Sequence, residues 1–434
     1  MQRILRIILL VLATNQVLCG VENNETLQPE TACTMKLDAL QTVRSTLESL
    51  LQTLKEWFDK IQSLLTSVPE LAREKPIKEG LRLVVAVWRH GSRAPLSNIF
   101  ELPDEQLKMH WPRGLQQLTS KGIEEQHQLG RFLHERYKSF ISNYSKETIY
   151  VRSADSSRTI MSALAIMNGF IPSTDEGLVG LSQKIPIYKV AARHDRALKV
   201  TYVNCPPPFR PFIMDVAKSS SEQLSAGLDP KLLQLVARGL KRKPGVMDLF
   251  QFADSLICYH YDGKASLIPT WAQSAQLYEQ VLQLYIMANL AQQTKPEYQA
   301  LRGSNLFNEI ADELVKKATE GQNRSLEFIG YSAHDMTLLA LLVDWGAVSP
   351  SLFPGFSSCI MIELHQETSG YYVEIWYRSG HEKELTQLRV KECSERCKLE
   401  QFVKIAKTYA SVDISAHCQK FKEMGLEFVE NYYT

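Results

Sequence analysis

Two arginines flank a histidine in the five residues from Arg89 to Arg93, which read Arg-His-Gly-Ser-Arg. Arginine side chains are permanently charged and fork-shaped, so a pair four residues apart suits the oxygens of a phosphoryl group. An imidazole is nucleophilic near neutral pH, so His90 could attack phosphorus and carry the phosphoryl group as a covalent intermediate. The segment therefore contains the groups needed to bind and transfer a phosphoryl group.

Three more residues could join the same chemistry. His334 and Asp335 are adjacent in the sequence. The histidine can donate a hydrogen bond to phosphate, and the carboxyl group can protonate a leaving group. Arg158 adds a third permanent positive charge. These residues need a fold that brings three distant parts of the chain together.

Three apolar runs predict the strands that would do so. Residues 81–88 and 326–331 are almost continuously apolar, as in strands buried on both faces of a sheet, and residues 148–152 predict a shorter strand. In an open α/β sheet, ligands bind beyond the carboxyl ends of the strands. We therefore expect the three strand ends to converge on one anion.

The remaining pattern predicts an α/β fold with a central mixed, mostly parallel sheet flanked by helices. Residues 119–137, 158–168 and 336–343 predict helices that follow the strands, and residues 358–367 and 371–377 predict an antiparallel pair. Residues 178–296 contain a proline cluster and long helical stretches, so we predict an inserted helical cap there. The catalytic domain would then comprise residues 77–177 and 297–434.

The N-terminus has the pattern of a secretory signal peptide over residues 1–20. Arg3 and Arg6 precede an apolar run at residues 7–13 that is too short to span a bilayer. We therefore expect a protein of the extracellular space or the lysosomal lumen, with no integral membrane segment after cleavage. Three glycosylation sequons fit such a compartment, at Asn24, Asn143 and Asn323.

An extension over residues 21–76 carries a heptad pattern that predicts an amphipathic helix at residues 35–68. A narrow apolar seam would favour a coiled coil between chains, whereas Leu51, Phe58 and Leu65 widen the stripe to a face suited to packing on the same chain. Both interpretations stay open. Cys33 shares the heptad position of Leu40, so a parallel coiled coil would allow an interchain disulfide and a homo-oligomer.

Composition and missing motifs exclude several functional classes. The chain has 434 residues with 49 basic and 48 acidic side chains, so no charge surplus indicates a nucleic-acid partner. The sequence lacks C-x5-R, D-x-D and G-x4-G-K-[ST], which excludes the cysteine and aspartyl-phosphate phosphatases and the P-loop enzymes. No C-x-x-C pair indicates a zinc site. We therefore predict a site without metal or cofactor.

Four ordered motifs together resemble the histidine acid phosphatases, the branch of the histidine phosphatase superfamily that includes prostatic and lysosomal acid phosphatases. R-H-G-x-R-x-P begins at Arg89, W-P-R-G begins at Trp111, and S-x-D-x-x-R-T-x-x-S-A begins at Ser153. The fourth motif is the pair His334-Asp335. The resemblance extends over residues 81–418, which is nearly everything except the N-terminal extension.

The resemblance implies the roles of six residues: His90 as nucleophile, Asp335 as proton donor, and Arg89, Arg93, Arg158 and His334 as the phosphate pocket. It also implies three disulfides, Cys205–Cys418, Cys258–Cys359 and Cys393–Cys397. The expected function is a secreted or lumenal acid phosphatase that hydrolyses phosphate monoesters through a phosphohistidine. The alternative is a secreted oligomeric binding protein that retains the phosphatase fold without efficient turnover.

Overall fold

The computed structural model describes residues 80–171, 185–192, 194–198, 230–293, 304–380, 383–410, 416 and 419. They belong to one compact unit that begins at Pro76. The predicted signal peptide and the predicted heptad helix at residues 35–68 lie outside the described residues. So do Cys33, Cys205 and Cys418. The statements made about them above stay predictions.

The described strands form one mixed sheet flanked by helices, so the predicted α/β fold is confirmed. The sheet is not mostly parallel as predicted, since three of the described strand pairs are parallel and four are antiparallel. The strand order is β3-β2-β4-β1-β5-β6-β7, with β8 paired to β6. The first four strands in this order pair in parallel, and β1, β5, β6 and β7 pair antiparallel. The bounds are β1 Leu81–Arg89, β2 Ile149–Ser153, β3 Ile187–Lys189, β4 Phe328–Ala333, β5 Cys359–Glu367, β6 Gly370–Arg378, β7 Leu385–Leu388 and β8 Arg396–Lys398.

Helices cover both faces of this sheet. The bounds are α1 Asp104–His110, α2 Ser120–Tyr137, α3 Ser157–Phe170, α4 Pro230–Gly239, α5 Val246–Tyr261, α6 Ala275–Gln293, α7 Ser304–Glu320, α8 Asp335–Asp344 and α9 Leu399–Ala410. Helices α2 and α3 pack on one face, and α7, α8 and α9 pack on the other. Within the described ranges, no helix is long and apolar enough to cross a bilayer.

Strand β1 lies at the centre of the core. Val84 and Ala86 face the cluster with α2 and α3, while Val85 and Val87 face the opposite cluster. All four side chains are fully buried. Successive side chains of a strand point to opposite faces, so a strand covered on both sides needs the continuous apolar run that the sequence shows.

Helices α4, α5 and α6 build a separate apolar cluster with residues that follow β1, among them Ala94, Ile99 and Trp111. These helices fall within the range predicted for the cap. Strand β3 also falls within that range, yet it pairs with β2 in the sheet. The predicted start at residue 178 is therefore too early, because the sheet takes one more strand from this part of the chain.

One implied disulfide is present and one is wrong. Cys393 and Cys397 form a disulfide. Cys258 and Cys359 are both buried free thiols. Cys258 lies on α5 with its Sγ atom 3.3 Å from a guanidinium nitrogen of Arg93. Cys359 begins β5 and packs in the core with Trp88. The two thiols are held in different environments and do not bond to each other.

Candidate active site

Three neighbouring strands end at the same level of the sheet. Strand β4 lies between β2 and β1. Arg89, the last residue of β1, is in register with Ala333 of β4, and Ser153 of β2 is in register with Ser332. The segments that carry His90, Arg158 and the His334-Asp335 pair all follow these ends. The predicted convergence of the three strand ends is therefore observed.

The loop after β1 is held against the start of α2. Gly91 lies so close to Gly122 that a Cβ on either residue would collide with the opposing backbone. The Ser92 amide donates to a carboxylate oxygen of Glu125 at 3.0 Å, and the Ser92 carbonyl accepts from the Thr119 amide at 3.0 Å. Glycine is needed in this motif because two backbone segments meet here.

Gln126 fixes the same loop from the other side, and the sequence analysis assigned it no role. Its Nε2 group donates to the Arg89 carbonyl at 3.2 Å and to the Ser357 hydroxyl at 2.7 Å. Gln126 is fully buried. A buried amide that bonds a backbone carbonyl restrains that backbone, so Gln126 holds the position from which the Arg89 side chain projects.

Hydroxyl groups of the Ser153 motif tie α3 to the site. Thr159 donates to the Ala154 carbonyl at 2.7 Å, and its own carbonyl accepts from Ser332 of β4 at 2.7 Å. The Ser162 hydroxyl accepts from the Gly91 amide at 3.3 Å. Helix α3, which carries Arg158 in its first turn, is therefore bonded both to a sheet strand and to the loop of His90.

His90 is a buried imidazole whose orientation is fixed. It is 2 % exposed, and its Nδ1 atom lies 2.9 Å from the Gly91 carbonyl oxygen. A carbonyl can only accept, so Nδ1 carries the proton and Nε2 keeps its lone pair. Burial, and then the charges of Arg158 and Arg89, hold the pKa of His90 well below its usual value of 6.5. The ring is therefore harder to protonate than an ordinary histidine.

Arg89 lies between the candidate acid and an aromatic ring. Its NH2 group forms an ion pair of 2.8 Å with Oδ2 of Asp335, and its NH1 group donates to the Pro354 carbonyl at 2.8 Å. The Phe356 ring centroid is 4.2 Å from the guanidinium carbon. His334 completes this side, with its ring centroid 5.6 Å from that of His90.

Asp254 of α5 positions Arg93, and the sequence analysis did not single it out. The two carboxylate oxygens accept from the Arg93 guanidinium at 2.6 and 3.2 Å, and one of them also accepts from the Leu96 amide at 2.8 Å. Burial alone would lower the pKa of Arg93, but Asp254 raises it above its ordinary value. One signal was available: an acidic residue within an otherwise apolar helical stretch needs a buried partner.

Arg158 is the second residue of α3 and is partly buried. Burial, and then the charge of Arg93, lower its pKa from 12.5 to about 10. Across the described parts of the chain, no carboxylate forms an ion pair with it. Arg158 thus extends a group of positive charges that lacks one negative partner, and a bound anion would supply that partner.

Asp335 is the first residue of α8 and is more exposed than its partner Arg89. Its Oδ1 atom accepts from the Met336 amide at 2.8 Å, which leaves Oδ2 directed at Arg89. Its side chain is 15 % exposed, compared with 6 % for the side chain of Arg89. A carboxyl group in this position can exchange a proton with a group that enters beside His90.

The sequence model of the histidine phosphatase superfamily, branch 2, matches residues 80–378. The chain belongs to this superfamily. The match includes the loop of His90, the arginine of α3 and the His334-Asp335 pair. All six predicted site residues therefore lie inside the region that defines the family.

Relatives and solved structures agree with this membership. Prostatic acid phosphatase of Bos taurus is 29% identical over 385 residues, which cover 85% of this chain and 95% of that protein. Lysosomal acid phosphatase of the same organism is 31% identical over 353 residues, which cover 78% and 80%. The Hafnia alvei phytase structure has a TM-score of 0.55 at 14% identity and covers 78% of this chain and 98% of that one, which shows a shared fold. The predicted membership of the histidine acid phosphatase family is confirmed, and with it the prediction of a phosphatase-class enzyme.

Proposed function

We propose that this enzyme is an acid phosphatase that hydrolyses phosphate monoesters through a covalent intermediate on His90. The observation that carries the proposal is the state of this imidazole. Its Nδ1 atom is committed to the Gly91 carbonyl, and its low pKa leaves Nε2 unprotonated. Three arginines and His334 surround a ring that is nucleophilic on one side.

The first step forms the phosphohistidine. Arg89, Arg93, Arg158 and His334 hold the non-bridging phosphate oxygens. Nε2 of His90 attacks phosphorus and forms a P–N bond while the ester P–O bond breaks. The leaving oxygen takes its electron pair and receives a proton from Asp335, so that an alcohol departs and Asp335 becomes a carboxylate.

The second step regenerates the enzyme. Asp335 removes a proton from a water molecule as the water oxygen attacks phosphorus. The P–N bond breaks, the electron pair returns to Nε2, and inorganic phosphate leaves. Asp335 is protonated again, so one ester and one water have become one alcohol and one phosphate. No step requires a metal or a cofactor.

The ion pair between Arg89 and Asp335 couples binding to catalysis. Without substrate, Oδ2 of Asp335 accepts from the Arg89 guanidinium at 2.8 Å. A phosphate dianion competes for the same guanidinium, because both are oxygen acceptors of the kind that arginine binds. Substrate binding thereby frees Oδ2 of Asp335 from Arg89 and leaves it beside the ester oxygen that departs.

An acid working range follows from opposite requirements at the two catalytic groups. Asp335 must hold a proton in the first step, which acid favours. His90 must remain neutral, and its lowered pKa keeps it so below the pH at which an ordinary histidine becomes charged. The acid phosphatases among the relatives support the same range.

We also propose that the protein acts outside the cytosol, in the extracellular space or the lysosomal lumen. The predicted signal peptide supports this location, as do the prostatic and lysosomal relatives. Asn143 and Asn323, the two sequon asparagines within the described residues, are both exposed. Homo-oligomer formation through Cys33 stays a prediction, because its segment lies outside the described residues.

Replacement of His90 tests the mechanism. We expect His90→Ala to lower p-nitrophenyl phosphate turnover by about a thousandfold or more and to abolish the phosphoenzyme trapped by acid quenching with ³²P-labelled substrate. EDTA should leave the wild-type rate unchanged. His127→Ala is the matched control, since His127 lies on α2 outside the pocket. Activity that survives loss of His90, or disappears with EDTA, would contradict the proposal.

The same measurements test the alternative function. A binding protein that retains the fold without turnover should bind inorganic phosphate, yet give neither product nor trapped phosphoenzyme in the wild type. The intact set of six residues favours turnover, because a protein that only binds phosphate has no need of a proton donor beside its histidine.

A further inference from the structure

A second basic pocket lies beside the start of α2. Its lining includes Trp111, His110, Arg113, Lys121, Asp262 and Lys264, and its volume is about 120 Å³. A single water needs about 10–15 Å³ measured in this way. The space therefore holds several waters, or one small ion in their place. We call it the Trp111 pocket.

The charges of this pocket do not balance. Arg113, Lys121 and Lys264 are permanently or ordinarily positive, and Asp262 is the acidic residue in the lining. Lys264 forms an ion pair with Asp262, and the Arg113 guanidinium makes only long contacts of 3.5 Å to the Leu118 carbonyl and the Ser120 hydroxyl. An arginine has five N–H donors, so most of the hydrogen-bonding capacity of Arg113 remains available.

The start of helix α2 also attracts a negative charge. The helix has 18 residues, and its N-cap Thr119 and its first residues Ser120 and Lys121 line the pocket. The N-terminus of a helix carries a partial positive charge and backbone N–H groups that bind anions. Trp111 contributes a wall and no hydrogen bond, because its indole packs against Tyr259 and its buried Nε1 atom is closed to a group the size of water.

We propose that the Trp111 pocket binds a tetrahedral oxyanion, a phosphate or sulfate group, separately from the catalytic phosphate. Leu118 and Thr119 in its lining pair through the backbone with Arg93 and Ser92. The pocket therefore shares a wall with the loop that carries His90. The bound group is either a free ion or the second phosphate of a doubly phosphorylated substrate. The site does not depend on the proposed phosphohistidine mechanism.

Equilibrium dialysis with ³⁵S-labelled sulfate at low ionic strength counts the sites. We expect two sulfates per wild-type chain. Arg158→Gln should weaken one of them, and Lys264→Gln should weaken the other about tenfold or more, the effect of losing a charge-assisted hydrogen bond. Asp262→Asn removes a negative charge and should tighten that second site. Lys316→Gln, on the exposed face of α7, is the matched control. Melting curves verify that each variant is folded.

Lys264→Gln and Asp262→Asn should change the sulfate affinity in opposite directions. Because a folding defect would lower the affinity in both variants, the comparison tests binding and not folding. A single class of sulfate site that disappears with Arg158→Gln would overturn the proposal, as would equal affinities for the wild type, Lys264→Gln and Asp262→Asn. If the catalytic proposal alone fails, His90→Ala retains turnover while the response to Lys264→Gln remains. The measurements therefore distinguish failure of the second anion site from failure of the catalytic mechanism.

Substrate kinetics distinguish the two sources of the anion. Alkanediol bisphosphates of increasing chain length can be compared with an alkyl monophosphate. If Lys264→Gln raises KM for the bisphosphates and not for the monophosphate, the pocket receives the second phosphate of a substrate. If both KM values are unchanged while sulfate affinity falls, the pocket binds a free ion. Both results support an anion site.

Discussion

Two buried clusters of charge lie on the same sheet and differ in how they are balanced. At the carboxyl ends of the strands, Arg158 adds a charge beyond those paired with Asp254 and Asp335. On strand β5, by contrast, Glu363 accepts from the Arg136 guanidinium at 2.7 and 3.0 Å and from the Tyr137 hydroxyl at 2.7 Å. The first cluster has a positive charge without an ion-pair partner among the described residues, which an incoming anion could bind, and we call it the open cluster. In the second, the closed cluster, the charged groups pair with one another.

The pKa values follow this difference. Burial alone would lower the pKa of Arg136, but Tyr137 and Glu363 raise it above its ordinary value. Burial would raise the pKa of Glu363, yet hydrogen bonds from His365 and the charge of Arg136 lower it. Burial and then the charge of Arg93 lower the pKa of Arg158 to about 10, and Asp335 and Asp254 offset this only in part. Perturbed pKa values cluster at functional sites, and burial together with the nearby charge of Arg158 lowers the pKa of His90.

Glu363, His365 and Glu374 also have the geometry of a metal site, since their ligand atoms lie within 4.8 Å of one another. Both carboxylates already have cationic partners. Arg136 pairs with Glu363, and Arg396 pairs with Glu374. A divalent cation would have to displace or face two guanidinium groups. The arrangement therefore serves the sheet and not a metal.

The largest effect on activity among these substitutions should come from Asp335, the proposed acid of the open cluster. Asp335→Asn keeps the shape of the side chain and removes the transferable proton. We expect alkyl phosphate turnover to fall about 10²–10⁴-fold, the usual contribution of a general acid. Turnover of p-nitrophenyl phosphate should fall much less, because its phenolate leaves with little help. Initial rates for both substrates decide this, and equal losses would remove Asp335 from the acid role.

The next largest effect should come from a substitution that breaks the closed cluster. Glu363→Ala leaves Arg136 buried without its partner, which typically lowers the free energy of unfolding by about 3–5 kcal/mol. Urea denaturation measures this loss. The double variant Glu363→Leu with Arg136→Leu should recover most of the stability, because it removes both charges together. A double variant as unstable as Glu363→Ala would show that packing, and not charge balance, is responsible.

The pH dependence of the same cluster has a definite sign. The pKa of Glu363 is lowered in the folded chain from an ordinary value of 4.5. Its contribution to stability is therefore fully present above that value and is lost as the pH falls from there through the lowered pKa. The stability difference between the wild type and Glu363→Ala should accordingly shrink below pH 4.5 and stay constant above it.

The sequence predicted the open cluster better than the elements that support it. Arg89 ends β1, the His334-Asp335 pair directly follows β4, and Arg158 lies at the start of the helix after β2. Strand ends can be predicted from apolar runs. Asp254 is 161 residues from Arg93, and no local pattern joins the two. Pairing at such a distance is set by how the α5 helix packs, which a single sequence does not encode locally.

The remaining misses have related causes. The closed cluster depends on the register between α2 and β5, and the sequence analysis assigned no role to Glu363. The implied bond between Cys258 and Cys359 came from the family resemblance, and the packing of α5 directs Cys258 to Arg93 instead. Helix α7 lies in a region with no motif. The placement of residues at the strand ends could be predicted because motif and strand coincide in the chain, whereas contacts set by tertiary packing could not.

One substitution made in both clusters separates their roles with a smaller effect. Arg93→Lys and Arg136→Lys each keep the charge and lose the two-pronged contact of a guanidinium. A lost charge-assisted hydrogen bond is worth about 1.5–3 kcal/mol. We expect Arg93→Lys to lower kcat/KM about tenfold or more and also to lower the melting temperature, because the two-pronged contact with Asp254 is lost. Arg136→Lys should lower the melting temperature with little change in kcat/KM. A loss of kcat/KM in Arg136→Lys and not in Arg93→Lys would contradict the division into open and closed clusters.

The smallest effect is expected for substitution of Arg158. Whether this substitution raises or lowers the free energy of unfolding is the sharpest test of the comparison between the two clusters. Its lowered pKa means that the folded chain holds this charge less favourably than the unfolded chain does. Arg158→Gln should therefore raise the free energy of unfolding by about 1 kcal/mol, the range in which gains at strained functional sites fall. The same variant should lose affinity for inorganic phosphate.

Phosphate should reverse the order of stability of the wild type and Arg158→Gln. An anion at ten times its dissociation constant stabilises the wild type by about 1.4 kcal/mol, since the gain is RT ln(1 + [L]/Kd). Arg158→Gln binds phosphate weakly and gains little. Melting curves with and without phosphate should thus show the variant as more stable in the absence of phosphate and the wild type as equal or better in its presence. The Lys264→Gln background removes the contribution of the Trp111 pocket. If Arg158→Gln is less stable than the wild type without phosphate, the charge of Arg158 is already balanced in the free enzyme. The open and closed clusters would then not differ in how their charges are balanced.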